Sequence, residues 1–381
     1  MKKILVIGMT SNYAGTEGVI YNYYKNIDKS VIHFDFLTHS FSKLAYEDNM
    51  IANGSKIYRI TQKKKNYFKY KKEMKKFFKN YAEEYDAIWL NTNHLYNIDY
   101  LIYGKKYCIK HRILHSHNSN DGKHRNIIWA LYAILRTRIN KIIQLNYATD
   151  YWACSDVAAK FMFNKKIIND GNYKIIHNAI DVEKFAYNEK VRKEVRNELK
   201  EKCKLKINDA TLVVGHIGRF DEQKNHKFLI DIFNEIHKRK ENSVLVLVGQ
   251  GPLQKYIEEK VNKLGLQDSV LFLGKRDDVN ELYQAMDVFI LPSLYEGLPV
   301  VGVEAQASGL LCELANTMTE ETKVLSSTNF INLNLSAGKW TDKIIEDYNK
   351  FERKNVSKEF ENNGFNIKKE AKKLQKILEK M

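Results

Sequence analysis

The chain has 381 residues, 44% of them hydrophobic, and a formal net charge of +16 from 62 Lys and Arg against 46 Asp and Glu. That length is expected to form two domains of roughly 180 residues, each with its own core. Four scattered cysteines (Cys108, Cys154, Cys203, Cys312) without a CxxC pair point to reduced cytosolic thiols and exclude a disulfide framework. No window reaches the ~18 apolar residues of a membrane span.

In chain order, residues 2–8 (KKILVIG) read as a buried strand whose apolar run stops at Gly8, too short for a signal-peptide core. A loop, Tyr13-Ala14-Gly15-Thr16-Glu17-Gly18, precedes a helix running to about residue 27. Strands are expected at 33–38, 56–60, 85–91, 111–117, 149–155 and 173–180, with long helices at 67–81 and 127–146. The pattern then restarts. Residues 211–218, 243–249, 269–274 and 287–293 are short apolar runs ending in Gly or Pro-Ser, each followed by a segment of helix length. Residues 311–315 extend the series after Gly309.

Alternating β and α segments imply parallel sheets with helices on both faces. The expected architecture is α/β: two Rossmann-like parallel-sheet domains facing across a cleft, residues 1–180 and 181–381, with the last helix free to pack back on the first domain. In such folds ligands bind at the carboxyl ends of the strands.

The motifs cluster at those ends in the second half. HIGRFDEQKNH (216–226) follows one strand: Gly218 permits close backbone approach, and Arg219 and Lys224 place two cations around the loop. GQGP (249–252) and GKRDDV (274–279) follow the next two. PSLYEGLPVVGVEAQASG (292–309) follows the fourth and carries Glu296 and Glu304 with seven residues between them. Strand, tight loop and helix N-terminus form an arrangement suited to phosphate.

These residues resemble the donor domain of glycosyltransferase family 4, retaining enzymes of the GT-B fold. The matching pieces are GHIGRFDEQKNH, LVLVGQGP, VLFLGKRDDV, MDVFILPSLYEGLPVVGVEAQASG and HNAIDVEKF. AGTEGVIYNYYKNID and RILHSHNS resemble the acceptor domains of capsule and exopolysaccharide members. The resemblance implies transfer of a hexosyl or N-acetylhexosaminyl group from a nucleotide-diphosphate sugar, a UDP-sugar, to a lipid-linked saccharide. Arg219 and Lys224 match the pair that grips the diphosphate, Glu304 the carboxylate on the ribose, and Glu296 the one beside the donor sugar. The amides of Gly297 and Leu298 would face sugar and phosphate, with Pro299 at the first helical position. Gly218 and Gly249 line the nucleotide, Lys275 and Arg276 run beside the base, Gly15 approaches the donor from the first domain, and His117, with His115 as the alternative, lines the acceptor side. No Asp-x-Asp motif is present, and side-chain cations are expected to replace a metal ion, so no cofactor is implied.

Some positions depart from the family's pattern. Ala14 and Ala179 stand where glycines are usual, and Leu311 where a proline is common. Glu313 falls inside an expected buried strand, so either that strand is edge-like or Glu313 finds a cation. Competing readings are a GT-B sugar-nucleotide epimerase and a dinucleotide-dependent oxidoreductase; the second lacks a GxGxxG after the first strand. No nucleic-acid motif accompanies the basic charge.

That charge is uneven. Residues 1–180 hold 29 Lys and Arg against 14 Asp and Glu, and residues 181–381 hold 33 against 32. The first half is therefore expected to favour an anionic partner, and a cytoplasmic enzyme docked at the inner face of the membrane fits. Tyr67, Tyr70, Met74, Phe77, Phe78 and Tyr81 recur at helical spacing opposite Lys71, Lys72, Lys75, Lys76 and Lys79, either as a membrane-docking face or as the core stripe of a crossover helix. His33, His39, His94, His111 and His124 have no ligand spacing.

Overall fold

Apolar runs bounded by glycine become the strands of two all-parallel sheets in the computed structural model, which describes residues 1–12, 15–120, 127–203, 207–361 and 363–381. Ala14 and His124 lie outside the described residues. The chain divides into one unit of Met1–Ala179 with Ile367–Met381 and a second of Ile180–Asn366.

The first unit holds β1 (Lys2–Ile7), β2 (Ile32–Thr38), β3 (Ile57–Arg59), β4 (Ala87–Thr92), β5 (His111–Ser116), β6 (Asp150–Ala153) and β7 (Lys174–Ile175), in the order β3-β2-β1-β4-β5-β6-β7. Residues 173–180 are thus only briefly a strand: the chain leaves the sheet after Ile175 to reach Asn178 and Ala179, both buried. Trp89, Trp152, Tyr70, Phe34, Phe36 and Phe78 fill the core. The last helix, Ile367–Glu379, packs its buried Ile367, Ala371, Leu374 and Leu378 in this unit, next to the helix Gly15–Asn26.

Two sequence expectations change here. The helix begins at Gly15 itself, so the glycine stands in its first turn rather than in a loop before it. The stripe on Tyr67–Tyr81 is core: Tyr70, Met74, Phe77 and Phe78 are buried, Phe77 packing edge-on against Tyr58 at 4.9 Å. Only Tyr67 and its neighbour Phe68 stay exposed among these aromatics.

The second unit holds β8 (Leu212–Ile217), β9 (Ser243–Val248), β10 (Val270–Phe272), β11 (Val288–Leu291), β12 (Leu311–Ala315) and β13 (Thr328–Ile331), in the order β10-β9-β8-β11-β12-β13. β8 and β11 are neighbours, with Val288 opposite Val214 and Phe289 opposite Gly215. From β8 the chain winds outward one way through β9 and β10, then returns to β11 and winds the other way. The reversal opens a crevice at the carboxyl ends of β8 and β11, where doubly wound sheets take ligands.

β13 has no counterpart in the apolar runs, because TNFI is half polar and only its first and last residues are buried. Its presence makes β12 an interior strand. Glu313, fully buried on β12, meets Asn329 and Asp347 rather than a cation, so neither expectation for it holds. Arg192 and Arg196 clamp Asp287, at 2.5 and 2.6 Å, and tie the helix Glu189–Cys203 to the foot of β11.

Candidate active site

The loop after β8 is held by backbone. Gly218 N–H donates to Val248 O at 2.9 Å, Phe220 N–H to Gln250 O at 3.2 Å and Leu253 N–H to Phe220 O at 3.0 Å. Contact this close leaves no room for side chains on the facing loop. Gly249 has φ +135°, and a Cβ there would lie 2.1 Å from Gly218 O. Beneath the loop His216 donates its Nδ1 proton to Ile290 O at 2.8 Å, which leaves Nε2 unprotonated. A Cβ on Gly218 would sit 3.0 Å from that Nε2 and 3.1 Å from Cγ and Cδ of Lys224. Glycine at 218 thus lets the Lys224 chain lie across the loop. His226 opens the following helix, stacked on Phe220 at 4.1 Å, and burial drives both imidazoles far below the usual range.

The loop after β11 meets this one. Lys224 Nζ donates to Glu296 Oε1 at 2.7 Å, and Gln223 Nε2 donates to Glu296 Oε2 at 3.1 Å and to Tyr295 O at 3.0 Å. Leu294 N–H donates to Gln223 O at 2.8 Å, and Asn225 Nδ2 to Pro292 O at 3.1 Å. Both oxygens of the nearly buried Glu296 are engaged. Arg219 is exposed on the same loop.

The helix after β11 runs Val300–Ala307, and Pro299 is its N-cap rather than its first helical residue, with ψ 108°. The proline carbonyl accepts from Gly302 N–H at 3.0 Å and so closes the first turn. Gly297 and Leu298 lie just before it, at the positive end of the helix. Glu304, one turn in, is half-buried and accepts from Tyr283 Oη at 3.1 Å. Burial pushes its carboxyl up to about 7, while the Tyr283 hydrogen bond and the charges of Lys184 and Lys224 pull the other way.

Glu296, Glu304, Lys224, Gly218 and Gly249 therefore gather around the ends of β8, β9 and β11. Lys275 and Arg276 follow β10, the edge strand. Lys275 is exposed, whereas Arg276 is forked onto Asp278 at 2.5 Å and reaches Glu198 at 3.6 Å, so its charge is already countered.

Gly15 and His117 belong to the first unit, both by the carboxyl end of β4. Thr16, next to Gly15, lies 3.4 Å from Asn93 Oδ1, and His117 Nε2 donates to Asn91 Oδ1 at 2.8 Å. His117 is buried and pushed down to about 4, with Asn178 opposing that shift. It is neutral near pH 7, and its Nδ1 is closed to solvent. His115, its ring 4.1 Å away, is buried deeper and held by Trp89 Nε1 at 3.1 Å, a core role.

Gln223, Tyr283 and Lys184 were not singled out by sequence. Gln223 sits inside a quoted motif, but Tyr283 is an unmarked helical residue 21 positions before Glu304. Among the described residues no three His, Cys, Asp or Glu side chains gather to hold a metal ion.

Residues 197–329 match the family of glycosyl transferases group 1. The glycosyltransferase EpsF of Bacillus subtilis (strain 168) is 32% identical over 322 residues, covering 84% of this chain and 80% of that protein. A UDP-Gal:alpha-D-GlcNAc-diphosphoundecaprenol alpha-1,3-galactosyltransferase of Escherichia coli is 35% identical over 145 residues, 37% of this chain and 36% of the enzyme. Among solved structures, Anabaena Alr3699/HepE in complex with UDP superposes with a TM-score of 0.75 at 18% identity over 100% of both chains. The two parallel-sheet units are those of a GT-B fold. The chain belongs to the group 1 glycosyltransferases.

Proposed function

We propose that the protein moves a hexosyl or N-acetylhexosaminyl group from a UDP-sugar, with retention at the anomeric carbon, to a lipid-linked saccharide in surface polysaccharide synthesis. The observation that carries this reading is the Lys224–Glu296–Gln223 constellation at the crevice between the ends of β8 and β11. The resemblance to EpsF over most of both chains supports glycosyl transfer, and the UDP held by HepE supports the donor class. The lipid-diphosphate acceptor in the name of the E. coli relative supports the acceptor class.

In this reading Arg219 and Lys224 take the diphosphate, and Glu304 accepts from the ribose hydroxyls. Glu296 orients the transferred sugar, and the amides of Gly297 and Leu298 donate at the helix start. Lys275 and Arg276 flank the base, Arg276 through its aliphatic stem because its head is paired. As the sugar–phosphate bond breaks, negative charge grows on the departing phosphate, and Lys224 and Arg219 stabilise it without a metal ion. Engagement of both Glu296 oxygens leaves that carboxylate poorly disposed to attack as a nucleophile, so retention is assigned to a front-face route in which the departing phosphate helps to deprotonate the acceptor hydroxyl. On the first unit, Gly15 contributes the first turn of its helix, and neutral His117 lines the acceptor side.

The same unit, with 35 Lys and Arg against 16 Asp and Glu, is the side we assign to an anionic membrane surface. The test is incubation with UDP-glucose, UDP-galactose and UDP-N-acetylglucosamine and a lipid-diphosphate saccharide, in EDTA, read by mass, with the product's anomer read by NMR. Thermal stabilisation by UDP and a product one sugar heavier are expected. No stabilisation by any nucleoside diphosphate overturns the reading.

A further inference from the structure

The helix Ile127–Tyr147 is built inside out. The side it turns inward carries Ala133, Asn140 and Gln144. Asn140 Nδ2 donates to Leu95 O at 2.5 Å, Gln144 Nε2 to Met162 O at 3.3 Å, and Tyr151 Oη to Gln144 O at 3.1 Å, so polar groups anchor the helix to its unit. The apolar residues face solvent: Ile127 is 77% exposed, Leu131 63%, Leu135 58% and Ile142 66%, with Ile134 and Leu145 beside them. Steps of three and four residues put these on one continuous stripe. An ordinary crossover helix would bury that stripe, and isolated surface leucines would need no explanation.

Charge identifies what covers it. Residues 122–149 contain no Asp or Glu, and Arg138 is exposed within the stripe itself. Alongside lies the helix Asp99–Lys106, whose Lys105 sits 5.5 Å over the Tyr147 ring. Beyond it is the helix Tyr67–Tyr81, Phe78 stacking on Tyr103 at 5.6 Å. These neighbours expose Lys72, Lys75, Lys76, Lys79, Lys105 and Lys106. A second copy docking face to face would bring Arg138 and these lysines against their own kind. A bilayer with anionic headgroups satisfies both features, taking the aliphatic side chains below the phosphates and the cations among them. No helix among the described residues is long and apolar enough to cross a membrane, so the helix lies in the interface and does not span.

We infer that the outward face of the helix Ile127–Tyr147, centred on Leu131, Leu135 and Ile142, is a monotopic docking surface for anionic phospholipid. This deepens the membrane assignment made above and rests on it, replacing the aromatic stripe of residues 67–81, which is core.

The test is co-sedimentation of the full chain with phosphatidylcholine vesicles with and without phosphatidylglycerol, at low and high salt, beside UDP thermal shift and gel filtration. Wild type should pellet with the anionic vesicles and release in salt. Leu131→Ser, Leu135→Ser and Ile142→Ser should each lower the partition coefficient about tenfold, and the triple variant should stay in solution while keeping its UDP shift. Leu135→Trp keeps the face apolar, and its emission should move to the blue with anionic vesicles. A triple variant that pellets like wild type, or an unmoved Leu135→Trp emission, overturns this helix as the docking element. Wild type that never pellets overturns the membrane assignment as well, and a dimer dissolved by the triple variant gives the face to a second copy. Loss of the UDP shift by wild type would strike the glycosyltransfer reading instead, separately from all of these.

Discussion

Lys224 Nζ lies 2.7 Å from Glu296 Oε1, a pair that joins the loops after β8 and β11 and is nearly closed to solvent. A diphosphate entering this crevice must share Lys224 with the carboxylate already there. Glu296→Gln removes that competition and keeps the Gln223 side chain within reach. UDP affinity should therefore hold or rise slightly, while sugar transfer is lost, in calorimetry beside a transfer assay. Lys224→Ala should lower kcat by about 10²–10³. A Glu296→Gln enzyme that transfers normally would remove this residue from the donor site.

Gly249 tests the backbone contact beneath the loop that carries Arg219 and Lys224. Its φ of +135° and the 2.1 Å approach of Gly218 O to an added Cβ mean that alanine must push the Arg219 loop away. Gly249→Ala should cost ~2 kcal/mol or more and abolish the UDP-induced shift in Tm. Gly265→Ala, also at positive φ (+72°) but with open space around it, isolates the conformational cost alone and should keep the UDP shift. Equal behaviour of the two variants would show that the loop contact is unimportant.

What was legible in the chain follows from period and punctuation. The central strands announce themselves because both faces are buried and the run is continuously apolar, as in Leu212–Ile217 and Ser243–Val248. β13 was hidden because an outer strand needs fewer apolar residues. The site motifs were visible as glycines and charges at strand ends. Their partners were not, since Tyr283 reaches Glu304 from another helix and Asp347 reaches the Glu313 region from 34 positions away. Pro299 fell one position out because a proline suits both the cap and the first helical turn, and only its ψ distinguishes them. The outward face of Ile127–Tyr147 was unreadable for a physical reason: an apolar stripe has the same spacing whether it meets the core or a membrane.

Glu304 should make nucleoside binding depend on pH. Its carboxyl is pushed up to about 7, and accepting from two ribose hydroxyls requires the ionised form. Affinity is then lost as pH falls through 7, approaching tenfold per unit below it. Uridine is the proper probe, since phosphate groups titrate near the same range. Tyr283→Phe removes the hydrogen bond that holds the carboxyl down and should move the midpoint to higher pH, while Glu304→Gln should flatten the profile. A flat wild-type profile between pH 6 and 8 contradicts the ribose role.

Glu313 should make stability fall as pH rises towards 8. Burial pushes it up to about 8, with the charge of Asp347 adding to the rise, and Asn329 Nδ2 sits between the two carboxyls, 3.1 Å from Glu313 Oε1 and 3.0 Å from Asp347 Oδ2. Its folded pKa lies above the unfolded value of 4.5, so its contribution is complete below that pH and is lost as pH rises through about 8. Glu313→Gln cannot ionise and keeps an acceptor for Asn329. Relative to wild type the variant should gain little at pH 5 and, at pH 9, on the order of 5 kcal/mol. Melting curves from pH 5 to 9 read this directly. A constant offset between the two proteins across that range would mean that Glu313 is ionised in the fold, and that a cation reaches it after all.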